Sequence, residues 1–171
     1  MTTAAKRAID NHINQTYDEL EVGRVFRSGG RTITEADVVN YCALTGNWIE
    51  IHSNAYYASK TRFGVRLVQG ALTYSILTGL MKFGLGVQAN YGIDNMRFRA
   101  PVHINDTVYA VCEVIGKKDK DAKYGVVTFL MKGVNQNGVV VQQGEWSLLM
   151  LRSREDLDAL IASSLPELQP A

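Results

Sequence analysis

The feature that most constrains this chain is Leu67–Met81, its longest run without a charged residue. The run is shorter than the roughly 18 residues that would suggest a membrane span, and it carries Gln69, Thr73, Ser75 and Thr78. It reads as a buried helix over residues 69–83. Ala71, Leu72, Tyr74, Ile76, Leu77, Leu80, Met81 and Phe83 place apolar groups nearly all round it, and Gly84 and Gly86 supply a stop. A helix with no polar face must be enclosed by other structure.

The segments that can enclose it are mostly strands. Asn95–Ala100 alternates Met96 and Phe98 with Arg97 and Arg99 and ends at Pro101. Thr107–Ile115 alternates around Val108, Ala110, Cys112 and Val114. Lys117–Lys123 is a charged, solvated turn. Tyr124–Val134 and Val139–Leu151 are long β-rich runs joined by Asn135-Gln-Asn-Gly138, a hairpin signal. Upstream, Glu21–Ser28 predicts a short first strand and Ser28–Arg31 a turn. Thr34 and Asp37 form a capping-box pattern that opens a helix over 35–44, stopped at Gly46. Residues 54–61 can hold a helical turn or two.

The pattern predicts an α+β fold: a curved antiparallel sheet wrapped around one long central helix. The helix hides its whole circumference only if the sheet curls round it or a second subunit closes the far side. Sheet edges would invite pairing with another copy. Residues 1–20 read as a surface arm, 21–152 as one domain, and 153–171 as a short helix with N-cap Ser153 followed by a tail marked by Pro166 and Pro170. No internal repeat is visible.

Composition excludes several classes. A chain of 171 residues, 46% hydrophobic and 20% charged, has material for one sizeable core. A net charge of +1 gives no reason to expect nucleic acid or an anionic membrane as partner. Cys42 and Cys112 show neither metal-ligand spacing nor a disulfide framework, and the N-terminus lacks the apolar stretch of a signal peptide, so cytoplasmic residence is the expectation. His12, His52 and His103 are widely separated, so no metal is expected. No serine elbow or phosphate loop is present.

Chemistry concentrates in residues 41–58, an irregular polar and aromatic stretch just before the apolar helix. His52 is the proton-transfer candidate. A lone histidine is as often a surface or core residue, but Gly46, Asn47, Trp48, Glu50, Ser53 and Asn54 surround this one with polar groups. Gly70 opens the helix, where backbone N–H groups are unpaired and partly positive. Without a side chain there, a carbonyl can approach closely, as in an oxyanion hole for a thioester enolate. The plainer reading of Gly70 is helix-entry geometry. Thr78 can reach a ligand or bond back to the carbonyl of Tyr74. Arg62, Arg66, Arg97 and Arg99 are candidates for phosphate contact, or solvated structural cations.

These residues resemble the MaoC-like, or (R)-specific enoyl-CoA hydratase (hydratase 2), family. Its signature runs Tyr/Phe, one or two residues, aliphatic, small, Gly-Asp-x-Asn-Pro-aliphatic-His, five residues, Ala/Ser. Tyr41, Leu44, Thr45, Gly46, Ile51, His52 and Ala58 fall at that spacing. The similarity continues through Val68–Gly70, Thr78–Leu80, Phe98–Val102, Asn105–Thr107 and the Asn135 hairpin, covering roughly residues 20–152.

The resemblance implies a hot-dog fold, a homodimer or higher homo-oligomer, an acyl-CoA substrate and no separate cofactor. It implies hydration of a trans-2-enoyl-CoA thioester, or the reverse dehydration. His52 matches the catalytic histidine, Gly70 the oxyanion donor and Thr78 the helix hydroxyl. Trp48, Gln69, Arg62 and Arg66 join Thr78 as expected substrate contacts. The chain departs from the pattern where it matters: Asn47 stands at the aspartate position, Ile49 at the asparagine and Glu50 at the proline. An amide orients water but does not accept a proton at neutral pH. Either Glu50 substitutes as the acid, or His52 works alone, or the site binds a thioester without turning it over. A hot-dog thioesterase is a further alternative, disfavoured because residues 67–81 contain no carboxylate.

Overall fold

A computed structural model describes residues 8–164 and 166. Pro170 and the expected start of the arm lie outside the described residues. The elements are β1 (His12–Ile13), β2 (Val25–Thr32), α1 (Glu35–Thr45), α2 (Glu50–Ser53), α3 (Ala55–Ser59), α4 (Gly70–Leu80), β3 (Lys82–Phe83), β4 (Val87–Phe98), β5 (Thr107–Asp119), β6 (Tyr124–Asn135), β7 (Val140–Leu151) and α5 (Arg154–Ser164).

Five strands form one sheet in the order β2-β5-β6-β7-β4, each neighbour antiparallel. The alternation read in β5, β6 and β7 puts Val108, Ala110, Cys112, Val114, Val127, Phe129, Met131 and Leu148 into the core. Leu72, Ile76 and Leu77 of α4 pack onto the same face. Gly133 of β6 makes room for the helix: a Cβ there would lie 2.5 Å from Leu77 Cδ1. Register shifts put extra residues in β2, β4, β5 and β7, marking bulges, which bend a sheet and deepen its twist. The expected α+β arrangement of an antiparallel sheet against one helix is what the chain forms.

The expected Ser28–Arg31 turn lies inside β2, and Lys117–Asp119 of the expected Lys117–Lys123 turn lies inside β5, because both segments are held in the sheet by pairing with a neighbouring strand. Four further expectations change. First, α4 is not covered all round: Ala71, Ser75 and Gly79 face outward. The composition hid this because those residues are small rather than charged. Second, α4 stops at Leu80 instead of 83. Asn11 Nδ2 donates to the Leu80 carbonyl at 2.7 Å, Met81 is extended, and Lys82–Phe83 pairs in parallel with His12–Ile13. Third, the described part of the N-terminal arm lies only partly at the surface: Ile9, His12, Asn14, Asp18 and Glu19 are exposed, but other residues turn inward. Ile13, Thr16, Tyr17 and Leu20 are all buried. The Tyr17 ring fills the space over Gly125, and its hydroxyl donates to Asp119 at 2.8 Å. Fourth, β4 begins at Val87, eight residues before the expected start. Its outer half is an exposed edge, so no in–out alternation marks it; Trp146 Nε1 of β7 holds it through Asn90 Oδ1 at 3.0 Å.

The capping signals are present as read. Thr34 and Asp37 exchange both bonds of the box, and Ser153 Oγ accepts from the Asp156 N–H at 3.0 Å. Among the described residues no helix is long and apolar enough to cross a membrane. Tyr17→Ala should lower the unfolding free energy by about 3 kcal/mol, measured by urea denaturation, because it removes a buried ring and its hydroxyl bond to Asp119, which keeps Arg152. A loss within ~0.5 kcal/mol, the range of a surface change, would contradict the packing of this arm.

Candidate functional site

The site is assembled where α1 ends. Gly46 takes a left-handed conformation (φ 71°, ψ 11°) and donates to the Cys42 carbonyl at 2.8 Å, closing the helix and releasing the chain into an overhang. The overhang passes through Asn47 and Trp48, makes the single turn α2, then α3, and returns along Phe63–Leu67.

The return segment is fastened to α2 at two points. Leu67 N–H donates to the Ile51 carbonyl at 3.1 Å, and His52 Nδ1 lies 2.8 Å from the Leu67 carbonyl. A carbonyl only accepts, so Nδ1 carries the proton in this contact. In a neutral ring Nε2 is then the bare, basic nitrogen. Beyond Leu67, Val68 N–H donates to Val102 at 2.9 Å, and Gly70 begins α4. Only Val68 and Gln69 therefore lie between the carbonyl that orients His52 and the amide of Gly70, a span of roughly 10 Å at most.

Gly70 lies under an aromatic ring. A Cβ at this position would stand 2.3 Å from Phe98 Cε1, so only glycine fits without moving Phe98. As the first residue of α4, its N–H has no partner within the helix. Beside it opens a cavity of about 300 Å³ whose wall includes Arg62, Phe63, Leu67, Phe98, Arg99 and Gln142. That volume is at the small end for a ligand site. Among the described residues the wall carries two guanidinium groups and no carboxylate.

The residues singled out in the sequence divide into two groups. Gly70 and Arg62 line this cavity, as does Arg99, and His52 is bonded to Leu67 in its wall. The others do not line it. Asn47 Oδ1 is buried and has no hydrogen-bond partner among the described residues. Glu50 accepts from Asn54 Nδ2, one helical turn on, at the exposed surface. Trp48 is 52% exposed. Gln69 turns inward and donates to Cys42 Sγ at 3.0 Å, tying α1 to the start of α4. Arg66 is paired with Glu35 beside a separate depression near His103. Thr78 bonds back to Ser75 at 2.9 Å, one residue later than the expected Tyr74. Arg97 donates to the Met96 carbonyl.

Phe63, Phe98 and Gln142 escaped the sequence reading as wall residues. Phe98 carried a signal in its alternation with Arg97 and Arg99. Gln142 carried none, since a glutamine within a β-rich run looks solvated. Two other ionisable groups are inert. Burial pushes the Cys112 thiol up to about 12, and burial, then Cys112, pushes the Tyr74 phenol up to about 12.

An antiparallel sheet packed on one helix, with an overhang at the helix start, is the hot-dog architecture. A solved Mycobacterium tuberculosis protein with a double hot-dog fold superposes with TM-score 0.72 at 18% identity, over 92% of this chain and 47% of that one. Residues 19–135 match the MaoC like domain, and the chain belongs to that family.

It is 37% identical to Protein MaoC of Klebsiella aerogenes over 95 residues, 54% of this chain but only 28% of that protein. It is 31% identical to the (R)-specific enoyl-CoA hydratase of Rhodospirillum rubrum over 108 residues, 63% of this chain and 74% of that one. The solved monoamine oxidase regulatory protein from Archaeoglobus fulgius gives TM-score 0.79 at 31% identity, over 85% of this chain and 99% of that one.

Gly70→Ala tests the approach to the helix start. Phe98 is 63% exposed and can swing aside, so stability should change by no more than about 1 kcal/mol. Affinity for an acyl-CoA ester, measured by calorimetry, should fall at least tenfold. Unchanged affinity would contradict a ligand at this amide.

Proposed function

We propose that this protein is an acyl-CoA hydratase/dehydratase that adds water to a trans-2-enoyl-CoA thioester and runs the reverse elimination. The observation that carries the reading is the His52 Nδ1–Leu67 contact. It orients a basic nitrogen beside the strand that leads directly to the Gly70 amide. Relatives named (R)-specific enoyl-CoA hydratase and 3-hydroxybutyryl-CoA dehydratase support the reaction class.

In the forward direction His52 Nε2 takes a proton from water as the water oxygen bonds to C3 of the enoyl group. The C2–C3 π electrons shift toward the thioester, and negative charge gathers on its oxygen. The Gly70 N–H donates to that oxygen, where the dipole of α4 also favours negative charge. C2 then takes the proton back from the imidazolium. Water has been added, His52 is neutral again, and no cofactor is consumed.

Asn47 orients the water through its amide. It does not accept a proton, so His52 bears the whole acid–base duty and turnover is slow. Glu50 is not the substitute acid in this scheme, because its carboxylate is engaged with Asn54 at the surface. Arg62, with Arg99, meets the coenzyme phosphates at the cavity mouth. The chain acts as a homodimer in the cytoplasm, with a second copy covering the unpaired edge of β4 and the small-residue face of α4.

Asn47 also favours a second reading, a subunit that binds acyl-CoA without turning it over. Steady-state hydration of trans-2-enoyl-CoA esters separates the two. The wild type should turn over. His52→Ala should fall at least about 100-fold, the low end of what a general acid–base contributes. Asn47→Asp should rise by tenfold or more. Thermal stabilisation by acyl-CoA with no turnover in wild type or Asn47→Asp would establish the binding subunit instead. Full activity of His52→Ala would contradict the mechanism.

A further inference from the structure

One wall residue of the cavity has no role in this chemistry. Gln142 of β7 is 1% exposed; among the described residues its Oε1 has no partner and its Nε2 meets only the thioether of Met96 at 3.1 Å. A thioether is a weak acceptor, so most of the hydrogen-bonding capacity of this amide is unspent. Burying such a group among Val68, Phe98, Val102 and Val141 is costly unless something pairs with it.

The backbone is built to bring it there. Gln142 stands opposite Gly133 on β6, yet the next pair in the ladder is Val134 with Val140, which leaves Val141 as an extra residue. This bulge breaks the in–out alternation, so Val141 and Gln142 are both buried and both line the cavity. Bulges beside ligand sites commonly re-aim a side chain in this way. On its other side Gln142 pairs with Phe98, whose ring covers Gly70.

We infer that Gln142 is a specificity-determining residue that reads an uncharged hydrogen-bonding group, a hydroxyl or carbonyl, on the acyl chain of the thioester. This deepens the proposed function and rests on it. An amide suits such a group because rotation about its last bond presents either a donor or an acceptor. It does not suit a carboxylate, whose desolvation it cannot offset. The cations on the wall, Arg62 and Arg99, are exposed residues hydrated by solvent. A purely aliphatic chain would leave the amide unpaired, and sites built to hydrogen-bond discriminate strongly against such analogues.

The test is calorimetric binding of saturated esters, which cannot be hydrated: 5-hydroxypentanoyl-CoA, hexanoyl-CoA and glutaryl-CoA, with 4-hydroxybutanoyl-CoA and pentanoyl-CoA as the shorter pair. The wild type should bind the hydroxy ester about tenfold more tightly than its methyl counterpart in at least one pair. It should bind glutaryl-CoA more weakly than 5-hydroxypentanoyl-CoA. Gln142→Leu and Gln142→Met should lose the hydroxyl preference, read as the ratio of hydroxy-ester to methyl-ester affinity within each variant. The wild-type ratios decide the matter even if both variants fail to fold. Equal binding within both pairs, or tightest binding of glutaryl-CoA, overturns the assignment and leaves the thioester site standing. If no CoA ester binds, the thioester reading falls and this inference falls with it.

Discussion

Much of the site depends on one hydrogen bond, from the imidazole of His52 to the main-chain carbonyl of Leu67. It joins a one-turn helix, which has little stability of its own, to an extended segment anchored by Val68 to Val102. The same contact selects which ring nitrogen carries the proton. Orientation and protonation are thus set together by a main-chain acceptor. Phe98 and Gln142, adjacent partners across the β4–β7 ladder, form another part of the cavity wall.

The legible parts of the fold were those where burial alternates. Strands β5, β6 and β7 have one face in the core, and their apolar residues fall at every second position. The starts of α1 and α5 announced themselves through their caps, reciprocal between Thr34 and Asp37 and one-way from the Asp156 N–H to Ser153, a local effect needing no tertiary context. The first half of β4 was illegible for the opposite reason, since Tyr91 and Ile93 are exposed on an edge. The arm was illegible because Tyr17 and Leu20 belong to no regular element and Ile13 to a two-residue strand too short to show a period. Their burial comes from contacts far along the chain, such as Tyr17 with Asp119 and Gly125.

At the site, spacing located His52 and Gly70 but did not say which neighbours turn toward them. Glu50, Trp48 and Asn47 were equivalent as letters close to a histidine. Tertiary packing separated them: Glu50 bonds along its own short helix, Trp48 faces solvent, and the Asn47 oxygen is buried. Gln69 looked like a substrate contact because it precedes Gly70, but the thiol of Cys42 holds it inward. Gln142 was invisible because its burial follows from a bulge, which is a property of two strands together.

The most direct measurement of the central claim is the tautomer of His52, read from the ¹⁵N shifts and proton couplings of its ring at a pH where the ring is neutral. The account predicts a proton on Nδ1, held by the Leu67 carbonyl, and a bare Nε2. A neutral ring with its proton on Nε2 would mean that Leu67 does not orient it. The basic nitrogen would then be aimed elsewhere, and the account would be wrong at its foundation.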